Sequence, residues 1–571
     1  MSRRTTVTGL ALVAALALGA SACSSSGSGS SGASGSAGGG SAKALVVESN
    51  PVPSFTNDFN PFDSKSSGYE QNITGLVFEP LMQFNTLNSA QPPIPWLATK
   101  WAWSNGNKTL TLTLRSGVKW SDGKPLTADD VKFSFELLAK NPAGNQWGVP
   151  TATSITASGN TVVLNYAASE SASLANIGEL PIVPQHIWSS IANPATAVID
   201  NTKAIGTGPY TVDKFTSQNI TFKANPAYWG GAPAVKAVSV PAYANNDAAT
   251  LALSQGEIDL AGNNINNVQS TFVAKNPSTN HLFQSSAPYF PATNTVTLLL
   301  NNKSTNAPAL ADKAVRQAIS AGIDRQSLAT QCETNYETPA TSSGGLTLPP
   351  DQGLLDSKVA NDLSKTSDTS KVSSILTADG YTKSGGKWTK GGKPIKFTII
   401  DPNSYGDYWC GAQAIAKQLT AEGMEVTANG AFTPDTWGTN VNNGTYDASI
   451  HWGQGGTGFQ RLQFLADSTL SAPVGKPAGN DLERYQSAAA DSAIKAYENA
   501  TSASAQQAAL NQLQETISSD VPSVPILYGA GWYEYTDANF TGWPTQSNPY
   551  VNPGPNNEAY EYLILHLKPK G

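Results

Sequence analysis

The run Leu114-Arg115-Ser116-Gly117-Val118-Lys119-Trp120-Ser121-Asp122-Gly123, continued by Pro125-Leu126-Thr127-Ala128-Asp129-Asp130-Val131, joins a strand end to a helix start. Leu110, Leu112 and Leu114 alternate with Thr111, Thr113 and Arg115, the two-residue period of a half-buried strand. Ser121-Asp122-Gly123 then reads as a turn. Thr127 is placed to cap a helix whose first turn holds Asp129 and Asp130, where negative charge suits the helix dipole. Val131, Phe133, Phe135, Leu137 and Leu138 supply its apolar faces. Outward from this run, a short apolar strand is expected over 44–48 and a Pro/Asn-rich loop over 49–62. Val315, Ala318, Ile319 and Ile323 predict one helix over 309–328. Leu510, Leu513 and Ile517 predict another over 503–519, stopped by Pro522 and Pro525. Strands and helices intermingle without a repeat, which is an α/β pattern.

The N-terminus predicts an exported chain. Arg3 and Arg4 precede an apolar run over 7–20, long enough for a secretory signal and too short to span a bilayer. It ends in Ala20-Ser21-Ala22-Cys23, small residues before a cysteine. Residues 24–42 are almost wholly Ser, Gly and Ala, a composition that buries no apolar surface and behaves as a flexible tether. Ser2-Arg3-Arg4 admits a twin-arginine route, although Thr5 and Thr6 stand where apolar residues would follow, so the general secretory route stays open beside it. Lys and Arg number 35 against 42 Asp and Glu, a net charge of −7 without any basic block, which excludes nucleic acid as a partner. The 13 Trp, 19 Tyr and 17 Phe, set among many uncharged polar residues, suit polar, uncharged ligands instead.

Beyond Cys23 the chain holds only Cys332 and Cys410, which an oxidising location permits to pair or to stand as separate thiols. His186, His281, His451 and His566 are isolated, with no HExxH or Cys/His cluster, so no metal site and no cofactor is expected.

The opening run closely resembles the signature of the family 5 extracytoplasmic solute-binding proteins, the peptide-binding class that feeds ABC importers. Further landmarks follow in family order: Pro95-Trp96-Leu97-Ala98 before Trp101, Gly206-Thr207-Gly208-Pro209-Tyr210, Asn225-Pro226-Ala227-Tyr228-Trp229-Gly230, Gly256-Glu257-Ile258-Asp259, and Val315-Arg316-Gln317-Ala318-Ile319 through Ile323-Asp324-Arg325. Ala20 to Cys23 is similar to a lipobox, with Ala20 where the family usually has Leu, so Cys23 is the implied lipidation site; an ordinary secretory signal is the alternative. Two acyl chains would hold such a domain stably at a membrane. The resemblance implies a two-lobed, type II periplasmic-binding-protein-like clamp with an extra subdomain. Carried over, the signal peptide is 1–22 and the tether 23–42. Lobe I combines 43–78, 204–300 and 531–571, the inserted subdomain is 79–203, and lobe II is 301–530. Ligand-driven hinge closure and docking on a membrane permease are the implied mechanism, with no bond made or broken. A receptor that signals rather than transports would use the same closure.

Family members that hold peptides have a Trp followed by an acidic turn that pairs with the peptide ammonium. The matching Trp452 is followed by Gly453-Gln454-Gly455-Gly456-Thr457-Gly458-Phe459, without a carboxylate until Asp467. Near the C-terminus, Phe540-Thr541-Gly542-Trp543-Pro544-Thr545 and Asn548-Pro549-Tyr550 are similar to members that bind β-linked gluco-oligosaccharides. An uncharged oligosaccharide is therefore expected, with an oligopeptide as the alternative. Trp409, Trp437, Trp452 and Trp532 are candidate stacking platforms, each equally open to plain core packing, and Asn60, Tyr408 and Gln454 are candidate hydrogen-bonding partners. Gly453 to Gly458 also satisfies GxGxxG, which alone is weak, and no GxxxxGK[ST] is present, so ATP hydrolysis must lie in a partner. An exported glycoside hydrolase would need a carboxylate pair, but Asp129 and Asp130 are already explained as helix-start residues.

Overall fold

The structure, a computed structural model, describes residues 43–571 except Gln454 and Glu558; the signal peptide, Cys23 and the tether lie outside the described residues. Two large sheets organise the chain. The first has seven strands in the order Asn280–Leu282, Glu534–Thr536, Leu260–Ala261, Leu45–Glu48, Ala237–Pro241, Asn219–Ala224 and Tyr210–Thr216. The second has six, in the order Thr338–Pro339, Ser523–Ala530, Ala292–Leu300, Ala448–His451, Lys396–Ile400 and Glu425–Asn429. The first sheet thus draws on three separate parts of the chain. Ala292–Leu300 belongs to the second sheet, pairing antiparallel with both Ser523–Ala530 and Ala448–His451, so the chain changes sheet before Ala292 rather than near residue 300. The two crossings are tied together, Gly531 N donating to Pro291 O at 2.8 Å.

The opening run folds as its pattern dictates. Thr109–Leu114 is the second strand of a four-stranded antiparallel sheet, with all three leucines buried and the threonines half-exposed. Gly123 takes φ +89° in the turn. Thr127 and Asp130 form a reciprocal capping box on helix Ala128–Lys140, satisfying two N–H groups that the first turn leaves unpaired. This sheet does not form a core of its own: Leu110, Leu112 and Val131 pack in one cluster with Leu45, Tyr210, Phe222 and Val238 of the seven-stranded sheet.

The helix expected over 309–328 is three pieces, Pro308–Ala311, Lys313–Gly322 and Arg325–Gln331. Asp312 accepts from Ala314 N and Asp324 from Ser327 N, so each restarts the chain with a local cap that competes with continuous helix. Arg316 and Arg325 are buried and donate to backbone carbonyls, Arg316 to Leu310, Ala311, Asp520 and Val521, and Arg325 to Ser320, Ser364 and Pro525. The C-terminal helix is Ala503–Asp520.

The other landmarks are structural as well. A Cβ on Gly206 would overlap the Val77 carbonyl, so only glycine permits that approach. Glu79, fully buried, accepts from Tyr228 Oη at 2.8 Å and from Trp229 Nε1 at 3.0 Å, which anchors the Asn225-to-Gly230 turn. Among the described residues no helix is long and apolar enough to cross a membrane.

Candidate functional site

Where the chain passes between the sheets, a cavity of about 1210 Å³, open to solvent, is lined from one side by Asn294, Glu337, Asp407, Tyr408, Trp452 and Arg461. Thr86, Asn552, Asn556 and Asn557 line the other side, and Trp532 stands on the second crossing. Each part of the wall has a local cause. Strand Ala448–His451 ends at Trp452, and the next residue must be glycine because a Cβ on Gly453 would meet the Thr295 carbonyl at 2.7 Å. Gly453, Gly455 and Gly456 therefore run along the cavity as bare backbone before helix Gly458–Ala466, which Thr457 and Gln460 cap reciprocally. Arg461 of that helix is fixed by an ion pair with Asp351 at 2.5 Å, both side chains buried, and by donation to Thr293 O.

Trp452 is 42% exposed and lies against an aromatic cluster. Its ring is stacked 4.4 Å from His451, 6.3 Å from Tyr408 and tilted 5.7 Å from Trp437. Trp437 is buried and donates Nε1 to Ser449 Oγ at 2.9 Å, so it backs the cluster without reaching the cavity. Trp409 turns away toward Gly430 and the core of the six-stranded sheet. Trp532 lines the cavity and packs 5.0 Å from Phe290. Asn60 is fully buried, its amide donating to Pro194 O and Ala197 O at 2.7 Å, and is occupied in closing a loop. Gln454 lies outside the described residues. Cys332 and Cys410 form a disulfide, with Cα atoms 5.5 Å apart.

The acids on the wall escaped the sequence reading. Asp407 opens helix Gly406–Glu422, accepting from Tyr408 N at 2.8 Å and from Asn264 Nδ2 at 3.4 Å. It adjoins residues the sequence did single out, and helix-start geometry could have drawn attention to it. Glu337 lies in an irregular segment after Thr334 and Asn335, both at positive φ, where no periodicity could mark it. Burial pushes Glu337 up to about 8, Asp407 adding to the effect against the opposing Ala530 N–H. Among the described residues no group of three or more His, Cys, Asp or Glu could hold a metal ion.

Two sheet-built lobes with an aromatic-walled cavity between them define a ligand-capturing clamp of the type II periplasmic binding-protein class. Residues 92–472 match the model of the bacterial extracellular solute-binding proteins, family 5 (middle), and the chain belongs to that family. Protein XP55 of Streptomyces lividans is 28% identical over 79% of this chain and 79% of its own length. The nickel-binding periplasmic protein of Escherichia coli is 27% identical over 60% of this chain and 62% of its own. An oligopeptide ABC transporter periplasmic binding protein of Thermotoga maritima, solved with mannohexaose, superposes with a TM-score of 0.74 at 24% identity, covering 92% of this chain and 99% of that one. The family is one of solute-binding proteins, and the Escherichia coli and Thermotoga relatives are named as binding proteins rather than enzymes.

Proposed function

We propose that this protein is the substrate-binding subunit of an ABC importer, held at the membrane by lipid on Cys23, and that it captures an uncharged oligosaccharide by closing its lobes over the cavity. Closure would swing residues 43–78, 204 to about 291 and 531–571, with the 79–203 subdomain, against the intervening 292–530. Trp452 and Trp532 on the walls of one cavity carry this reading. Sugar rings stack apolar C–H faces on indoles, and the amides of Asn294, Asn552, Asn556 and Asn557 suit ring hydroxyls without an ionic anchor. Asp407 favours a second reading, an oligopeptide, because it faces the cavity as the carboxylate that the loop after Trp452 lacks. The fold does not choose between them, since the Thermotoga protein is named for oligopeptides and holds mannohexaose.

Calorimetric titration of the purified protein with cello-oligosaccharides and with mixed tri- to pentapeptides separates the two. Micromolar or tighter binding of the sugars, with peptides silent, is expected. Saturable binding of peptides alone overturns the sugar reading.

A further inference from the structure

Glu337 occupies the cavity wall in an unusual condition. It lies immediately before strand Thr338–Pro339, which pairs with the Tyr528 end of Ser523–Ala530, so its side chain meets the chain where it leaves the second sheet. One carboxyl oxygen accepts from Ala530 N at 3.0 Å. The other is buried, with no hydrogen-bond partner among the described residues, and the side chain as a whole is 5% exposed. Leaving a buried polar atom unpaired is unfavourable, so such an atom on a residue that lines a ligand cavity points to a partner that arrives with the ligand.

The surroundings specify the partner's chemistry. Asp407 on helix Gly406–Glu422 is the carboxyl whose charge bears on Glu337, and burial together with Glu337 and Asp407 pushes Glu333, on the same segment, up as well. Asp401, at the end of the neighbouring strand, is itself pushed up to about 8 by burial, Asp407 adding to the effect. The phenols of Tyr408 and Tyr528 bring no positive charge, and both are pushed up by burial. Arg461 is committed to Asp351, and Lys365 shares only the lining of an adjoining cavity, itself exposed. Desolvated by burial, faced by the Asp407 carboxyl and with no free cation on this wall among the described residues, this carboxyl keeps its proton at neutral pH.

We infer that Glu337 is a specificity-determining residue of the ligand cavity, acting as a neutral carboxylic acid that donates a hydrogen bond from its free oxygen to an uncharged oxygen acceptor of the ligand, such as a sugar hydroxyl. This deepens, and rests on, the reading of the cavity as a cleft for an uncharged ligand. A protonated carboxyl donates where a carboxylate can only accept, so Glu337 favours a ligand oxygen over an ammonium group.

The test is titration of wild type, Glu337→Gln and Glu337→Ala with cellotetraose and with a tetrapeptide from about pH 6 to about pH 9, thermal melting being recorded alongside. For cellotetraose, wild-type affinity should fall about tenfold across that range as the proton is lost, the equivalent of about 1.4 kcal/mol. Glu337→Gln, whose amide keeps the acceptor for Ala530 N and a donor toward the ligand, should bind as wild type does at the acid end with a flat profile. Glu337→Ala should bind about tenfold more weakly at the acid end. If Glu337→Ala fails to fold, the Glu337→Gln profile decides. Equal affinity of wild type and Glu337→Ala, or equal losses in the Gln and Ala variants, overturns the inference. If only the tetrapeptide binds, the sugar reading falls. The same three proteins then judge Glu337 on the peptide, where retention by Glu337→Gln supports the neutral donor and loss in both variants shows an ionised partner for the ammonium.

Discussion

Trp437 and Trp452 have ring centroids 5.7 Å apart yet do different work, because burial separates them. Trp437 is 4% exposed with its indole N–H satisfied by Ser449, whereas Trp452 presents 42% of its surface beside the cavity. Replacing Trp437 by Ala should lower unfolding free energy by about 3–5 kcal/mol, the range for a large aromatic removed from a core, as read by urea denaturation. Trp452→Ala should leave that free energy within about 1 kcal/mol of wild type while weakening ligand binding about tenfold or more, as read by calorimetry. Equal destabilisation by the two would place Trp452 in the core. The family landmarks resolve at this scale too: Gly206 permits a backbone approach, Tyr228 and Trp229 hold Glu79, and Arg316 and Arg325 bind stray carbonyls.

Helix Gly406–Glu422 shows what an element adds. Successive side chains at its start diverge by the helical angle, so Tyr408 turns to the cavity, Trp409 toward Gly430 and Cys410 to Cys332. The disulfide thereby ties the wall carrying Asp407 and Tyr408 to the segment carrying Glu333 and Glu337. It closes a loop with a sequence separation of 78, for which the chain-entropy relation gives about 4.5 kcal/mol. The double substitution Cys332→Ser with Cys410→Ser should lose about that much stability in urea denaturation and should also weaken ligand binding. Unchanged binding would separate the cross-link from the site. The interrupted helix between Pro308 and Gln331 belongs here as well, since apolar spacing continues through Asp312 and Asp324 while their side chains cap new starts.

Across the whole molecule, buried acids give stability a pH dependence. Burial pushes Glu48 and Glu79 up to about 7, and Asp401, Glu483 and Glu561 up to about 8. In the unfolded chain the same groups titrate near about pH 4, so between these limits the native state holds more protons. Their contribution to stability is therefore full below about pH 4 and is lost as pH rises through about 7–8. The thermal midpoint should fall between about pH 5 and about pH 9 in scanning calorimetry, and a midpoint that rose over that range would contradict the assignment.

The sequence by itself determined the local features: the strand Thr109–Leu114, the Thr127 cap with acids in the first turn after it, the helix Ala503–Asp520 and, through spaced landmarks, the family. Each depends on neighbours a few positions apart, and such interactions leave a period or a pairing in the chain. Only tertiary structure decided that the 79–203 region shares its core with the seven-stranded sheet, that Asn60 is spent on a buried loop while Trp452 and Trp532 meet one cavity, and that Glu337 stands on its wall. Those outcomes join residues hundreds of positions apart. Long-range burial and charge crowding write no local pattern into the sequence, so they can be read only after the chain has folded.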